Sequence, residues 1–532
     1  MLKLHVIRLF LCFIVCSSFN VSMRVDEIIR RKLENLPVFH ALNREYEIFC
    51  IPSVRDVYLK NDFEPVWIHE SAINDFITVI LKCDEEGLNP NDYHLADIEE
   101  LRGEVNTPDG VANLDIVLTD AFLLYTSHIL SGKTNPVTID AEWHVLKTDN
   151  NPVKYVTEIN DKGIEKIVEE IAPGNKNYIL LQAELKKYRS IAKKGGWDKI
   201  ERGEILRQGM SSKRIVEIRK RLLITGELVP ENLNSEYYDD TLKLAVINFQ
   251  KSQGLEAIGT IGNETIDALS LPVEERIKSI EVNLERLRWL PQEVPNYYIM
   301  VNIVNFELDV IRDNTIARSH KVIVGKPYRK TPVFSSTMQY IVFNPTWTVP
   351  PTILTNDLIP EIRKNKNYLT QKNINVYDAA GKKLNPDSID WKSKKVISYT
   401  YRQEPGKQNA LGVVKFMFPN NFNVYLHDTP SKELFEKTER AFSSGCIRVQ
   451  KPLELAEYLL RDQSRWNKQF IQNVVESAIT QTVMLNSKPE VYLLYLTAWV
   501  DDFGKLNFRK DIYERDENLY KALTADPVYD LN

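Results

Sequence analysis

The chain of 532 residues has only five cysteines and eight histidines, and no CxxC or HExxH spacing groups any of them. A structural zinc and a zincin-type site therefore have no ligand set, and a disulfide-knot scaffold is a poor fit. A dominant charge sign is missing too. With 68 basic and 73 acidic residues the formal net charge is −5, and no basic tail stands out, which disfavours a general nucleic-acid binder. Beyond the N-terminus no stretch reaches 18 uninterrupted apolar residues, so the remainder is expected to be soluble. What is present is an ordinary globular composition, 43% apolar, 10% aromatic and 27% charged, which argues against disorder and collagen-like repeats. At roughly 150 residues per domain, this length suggests about three or four domains.

The chain opens MLKLHVIRLFLCFIVCSSFN, with Lys3 and Arg8 ahead of the apolar run Leu9 to Cys16. That run is too short for the roughly 20 residues a bilayer crossing needs. Cys16 and Ser18 supply small residues for cleavage after Ser18, so residues 1–18 are expected to be a secretory signal. An uncleaved anchor or a simple N-terminal helix is the alternative, and bulky Val15 disfavours a lipoprotein site at Cys16. Export leaves Cys50, Cys83 and Cys446 in an oxidising compartment. Cys50 and Cys83 are read equally well as a disulfide or as two buried thiols. Cys446 stands apart, either a nucleophile or an inert buried thiol.

Residues 24–205 read as a helical scaffold. Leu114, Val117, Leu118, Ala121 and Leu124 recur at helical spacing, and Gly132 suits the stop. The lysines between Lys187 and Lys220 read as a solvated helical face. Residues 211–271 form a small three-helix unit. Asp240 is expected to cap a helix carrying Leu242, Ala245, Val246 and Phe249, and Asn263 a shorter one closing on Leu269. Val273, Ile277, Ile280, Leu284 and Leu287 mark an amphipathic connecting helix over 273–291, ending at Pro291. From 295 to 520 the texture turns to short β-branched and aromatic runs, which predicts strands. Polar, Lys- and Asn-rich sequence at about 353–412 interrupts them as an insertion or lid. The fold class is multidomain α+β: an all-α N-terminal scaffold, a small helical unit and a β-rich C-terminal domain.

The chemistry concentrates in residues 421–452, NFNVYLHDTPSKELFEKTERAFSSGCIRVQKP. A strand over Phe422–His427 would put Phe422, Val424 and Leu426 on one face, and Tyr425 and His427 on the other. Nineteen residues after His427 comes Cys446, inside Ser443-Ser444-Gly445-Cys446-Ile447-Arg448-Val449. Extended chain there sets Cys446 and Arg448 opposite Ile447 and Val449. A thiol and an imidazole on one sheet face can form a couple in which the ring takes the thiol proton and Arg448 steadies the anion. Backbone N–H groups at Gly445 and Cys446 are candidates for an oxyanion pocket. The plain alternative is a satisfied core histidine with Arg448 in a surface ion pair.

HDTP, twelve residues, then SSGCIRV resembles the signature of L,D-transpeptidases with a YkuD-type catalytic domain, in particular their large periplasmic branch. VIVGKPYRKTPVFSS, NPTWTVPP, QEPGKQNALGVVKFMFPN and YLTAWVDDFGKLNFRKDIYERD fit the same branch, as do GLNPNDYH and LTDAFLLYTSHILSGKTNP upstream. AVINFQKSQGLEAIGTIGNETIDAL resembles a helical peptidoglycan-binding domain. The resemblance implies Cys446 as nucleophile and His427 as general base and later acid. It further implies Tyr425 and Arg448 as supporting residues, Ser443, Ser444 and Gly445 as the nucleophile loop and oxyanion pocket, and Trp347 lining the donor groove or packing as core. Ser444 stands where smaller family members have histidine. His94 and His128 read as packing or capping residues. The implied reaction forms 3→3 cross-links between peptidoglycan tetrapeptide stems, with release of terminal D-Ala. L,D-carboxypeptidase trimming is the alternative, and a non-catalytic wall-binding scaffold a third possibility. The resemblance implies no metal or organic cofactor, a periplasmic location, tetrapeptide stems as donor and acceptor, and other cell-wall synthesis enzymes as further candidate partners.

Overall fold

The computed structural model describes residues 25–36, 46–140, 142–145, 151–291 and 294–527. The expected signal at 1–18 lies outside the described residues.

The N-terminal helices wrap one central helix, α1 (Pro108–Ser131), which starts on a Thr107 cap accepting from Gly110 N and stops at Gly132. By length and composition α1 could cross a membrane, yet 89% of its apolar window is buried inside this protein. The sequence shows one stripe; the structure covers every side. Two buried carboxylates on α1 organise the shell. Asp115 accepts from Val66 N and Trp67 N at 3.0 and 2.9 Å, while Asp120 accepts from Phe49 N at 2.9 Å and from His94 Nε2 at 2.8 Å. These bonds satisfy loop N–H groups that burial would otherwise leave without partners. Cys50 and Cys83 are both buried free thiols, so the disulfide alternative is set aside.

The small unit holds three helices, α2 (Lys213–Thr225), α3 (Asp240–Ser252) and α4 (Asn263–Ser270), around their own apolar core. Both expected caps shift by one residue. Asp239 rather than Asp240 accepts from Leu242 N, because Asp239 is the last extended residue and is held by Arg219. Gly262 rather than Asn263 precedes α4, and Asn263 is already helical.

The connecting helix α5 (Val273–Arg288) also departs from its expected one-sided stripe. Glu285 and Arg288 are fully buried and paired at 2.7 Å, and Glu285 accepts from Thr134 N. On another side Arg286 pairs with Asp516 at 2.7 Å and Asn283 bonds Thr497. These polar residues clamp the scaffold to the C-terminal segment.

The catalytic-side sheet has twelve strands. In chain order we label β1 Tyr297–Asn302, β2 Glu307–Arg312, β3 Thr315–Gly325, β4 Val333–Thr337, β5 Tyr340–Phe343 and β6 Val414–Met417. There follow β7 Leu426–His427, β8 Ala441–Ser443, β9 Ile447–Val449, β10 Gln481–Met484 and β11 Glu490–Leu494. Across the sheet the order is β4-β11-β1-β2-β3-β9-β7-β6-β5-β10, with β8 beside β3. Outside β4 the scaffold adds a strand of its own, Trp143–His144, in parallel register with Val333 and Phe334. Nothing in the all-helical reading of that region predicts it. The segment between β5 and β6 is a folded insertion with its own core, including Leu354, Leu358, Ile362, Val376 and Tyr401, and a four-stranded sheet that begins at Trp347. It starts six residues before the expected boundary at 353.

Candidate active site

Two short strands carry the site. β7 and β9 run parallel with Leu426 opposite Ile447 and His427 opposite Arg448, and Ile447 N donates to Tyr425 O at 3.1 Å. Alternation then buries Leu426, Ile447 and Val449 and turns Tyr425, His427, Cys446 and Arg448 to one face. The expected strand over Phe422–His427 is only Leu426–His427. Upstream the chain turns, because Asn420 Oδ1 accepts from both Phe422 N and Val424 N and Asn423 adopts a left-handed φ of 55°. Phe422 still packs inward, 4.5 Å from the ring of the scaffold's His144.

Cys446 is half-buried at the mouth of a tight loop. Gly445 there has φ of 113°, a conformation open to glycine and strained for other residues. Ser443 Oγ accepts from Gly445 N at 3.1 Å and donates to Cys446 O. Thr331 Oγ1 donates to Gly445 O at 2.8 Å and accepts from Gly325 N at 2.9 Å. Ser444 Oγ accepts from Arg329, whose guanidinium pairs with Asp357 of the insertion at 2.6 Å. Gly445 N–H thus bonds Ser443 Oγ within the loop. Among the described residues Cys446 N–H donates to no group.

The thiol donates to Asn423 O at 3.6 Å, and no hydrogen bond joins it to the imidazole among the described residues. The ring of Tyr425 lies 5.7 Å from that of His427. His427 is buried, and its Nδ1 faces the Asp428 carbonyl, which can only accept. The ring proton therefore sits on Nδ1 and leaves the lone pair on Nε2. Burial first, then the charges of Arg448, Lys415 and Lys432, push the His427 pKa down to about 3, against the Asp428 carbonyl. Burial likewise raises the Cys446 thiol, against hydrogen bonds from Tyr425 and the charges of Arg448 and Lys415. Both shifts favour a neutral thiol beside a neutral imidazole, with desolvation opposing the nearby cations at the sulfur.

The other expected residues lie as follows. Tyr425 is half-buried against the sulfur, and burial raises its hydroxyl pKa while the Trp347 side chain bonds it. Trp347 is half-buried and packs on the core of the insertion. His94 and His128 are buried in the scaffold, His94 on Asp120 and His128 Nδ1 at 3.0 Å from Tyr93 Oη. No cluster of three or more His, Cys, Asp or Glu able to hold a metal occurs among the described residues.

Sequence reading missed four contributors. Lys415 on β6 stands in register with His427. Thr331 props the nucleophile loop. Tyr513 accepts from Thr331 N at 3.1 Å and donates to Gly325 O at 2.7 Å, while Tyr495 Oη takes Tyr513 N at 2.8 Å. The one available signal was Lys415, a lone cation at an alternating position of the strand VKFM.

Residues 296–475 match the L,D-transpeptidase catalytic domain, residues 52–185 a scaffold domain and residues 211–269 a peptidoglycan-binding domain. The chain carries a YkuD-family L,D-transpeptidase domain. Its scaffold and peptidoglycan-binding domains precede that L,D-transpeptidase domain in the sequence. A Haemophilus influenzae protein named "Putative L,D-transpeptidase" is 34% identical over 278 residues, 51% of this chain and 55% of the relative. The chain thus spans about half that relative's length. Solved L,D-transpeptidases from Xylanimonas cellulosilytica and Stackebrandtia nassauensis match at 13% and 12% identity. They cover 55% and 54% of this chain and 99% and 94% of their own, at TM-scores of 0.18 and 0.22, too low to bear on the fold.

Proposed function

We propose that the chain is a peptidoglycan L,D-transpeptidase that works through a Cys446 thioester. The observation that carries this is a half-buried thiol sharing a sheet face with an imidazole whose Nε2 lone pair is free of the Asp428 bond. A donor tetrapeptide stem displaces the thiol from Asn423 O and turns it toward Nε2. The S–H proton passes to Nε2 as sulfur attacks the carbonyl of the third residue. The C–N bond to D-Ala then breaks, and the imidazolium returns the proton to the leaving amine. An amine of a second stem next attacks the thioester, its proton passes to Nε2 and on to the sulfur as the C–S bond breaks, and the 3→3 cross-link forms. Splitting the transfer into two covalent steps supplies the chemistry without a cofactor. Cys446 N–H, free of other partners, suits the developing oxyanion.

Arg448 holds positive charge beside the sulfur, Ser443 and Gly445 shape the loop, Ser444 fixes it to Arg329, and Tyr425 with Trp347 walls the groove. Such an enzyme acts where peptidoglycan lies, in the periplasm or cell wall. Incubation with tetrapeptide muropeptides, read by mass spectrometry, should give an adduct on Cys446, free D-Ala and a dimer. Folded protein giving neither D-Ala nor dimer sinks the proposal. Tripeptide monomer in place of dimer shifts it to L,D-carboxypeptidase trimming, in which water takes the acceptor's place.

A further inference from the structure

Lys415 occupies an unusual place for a cation. It lies inside β6 between Val414 and Phe416, both fully buried, and its register with His427 turns its side chain to the face that holds Cys446. The ammonium sits 5.5 Å from the centroid of the Tyr425 ring. No salt bridge or side-chain hydrogen bond holds it among the described residues, and burial depresses its pKa, with the Cys446 charge the opposing influence.

Arg448 repeats the pattern across the site. It is in register with His427 from the other side, and among the described residues it forms no salt bridge and its Nε is buried without a hydrogen-bond partner. Glu433 is the acid that acts on it, at a distance. Two cations thus flank the thiol and imidazole, both partly desolvated and neither neutralised by contact. Leaving charge this way is costly unless an anion completes the site.

We propose that Lys415 and Arg448 form a carboxylate-binding subsite that takes the free terminal carboxylate of the donor peptide. This rests on the acyl-transfer reading above, in which the attacked carbonyl lies one residue from the chain end. That carboxylate is then about 4 Å from the carbon under attack, one residue's reach. A lysine and an arginine bound to it make charge-assisted hydrogen bonds that an amide or an extended chain cannot replace. Lys415 is accordingly a specificity residue. It selects donors ending in a free carboxylate immediately after the scissile bond, and it orients the leaving residue.

The test uses the full chain carrying Cys446→Ala, titrated with a stem tetrapeptide and with its C-terminal amide. The free acid should bind at least tenfold more tightly than the amide. Adding Lys415→Met should bring the acid down to the level of the amide and leave the amide unchanged, and Lys415→Arg should restore the preference. Equal binding of acid and amide by the parent overturns the proposal without recourse to any variant, as does a Met variant that keeps the tenfold preference. Acylation of the chain with Cys446 intact separates the two layers. A Cys446 adduct without acid preference removes only the subsite, and acid preference without an adduct removes only the acyl-transfer reading.

Discussion

Thr331 donates its hydroxyl to the carbonyl of Gly445 at 2.8 Å, one residue before the thiol. The same side chain is tied to Gly325 N, and its backbone N–H donates to Tyr513. The nucleophile loop is thus braced by a residue of the β3–β4 connection and by a tyrosine from beyond the matched catalytic domain.

Thr331→Val keeps the shape and deletes the brace. It leaves Gly445 O and Gly325 N unsatisfied, at about 1–3 kcal/mol for each buried group. Acylation of Cys446 should slow by roughly 10- to 100-fold, since a misplaced nucleophile loses near-attack geometry. Tyr513→Phe should act in the same direction and less strongly. Single-turnover acylation followed by intact mass, with thermal melts alongside, measures both. Unchanged acylation in Thr331→Val would show that the loop holds its shape without support.

The raised thiol and the His427 pKa of about 3 define a pH window. A neutral couple yields thiolate only as pH climbs through the raised thiol value. Alkylation of Cys446 by iodoacetamide should therefore keep rising past about pH 8.5, the ordinary thiol value. A plateau near neutrality would instead mean a thiolate–imidazolium pair at rest. Arg448→Gln should slow alkylation further at every pH by removing a charge that favours the anion.

His94 predicts a stability change of its own. Burial opposes its charge, but bonds to Asp120 and Asp97 prevail and raise its pKa to about 9. A raised pKa gives stability that is complete below the unfolded value near 6.5 and is lost as pH rises through 9. The shift corresponds to about 3 kcal/mol on the scaffold as an order of magnitude. Hydrogen exchange of α1 amides in the intact chain, corrected for intrinsic rates, should show weaker protection at pH 9.5 than at 6.5. His94→Gln should lower protection at pH 6.5 and flatten that dependence.

Glu285 and Arg288 make a buried pair on α5. Arg288→Met leaves the Glu285 carboxylate alone in the interior, which costs about 3–5 kcal/mol. The apparent Tm should fall in a melt of the full chain. A melt unchanged to within a degree would mean that water reaches Glu285.

How much of this was legible in sequence depends on the range of each contact. The SSGCIRV and HDTP segments placed the Cys446 thiol and the His427 imidazole on a common face, because alternation and a motif are local. The helix stop at Gly132 was local as well. Asp239 displaced Asp240 as a cap through Arg219, a partner 20 residues away. The α5 stripe was legible as core, whereas its polar residues find partners as distant as Thr134 and Asp516. Thr331, Tyr513 and the two-residue strand Trp143–His144 act across more than 100 residues, and no window on one chain exposes such pairings. Desolvation, which decides the protonation of Cys446, is a property of the assembled interior.

The strand Trp143–His144 seals the β4 border of the large sheet from outside residues 296–475. Cutting the molecule at residue 296 would bare a row of peptide groups able to recruit foreign strands. Excised fragments of this kind should clump on concentration, while the undivided polypeptide stays dispersed.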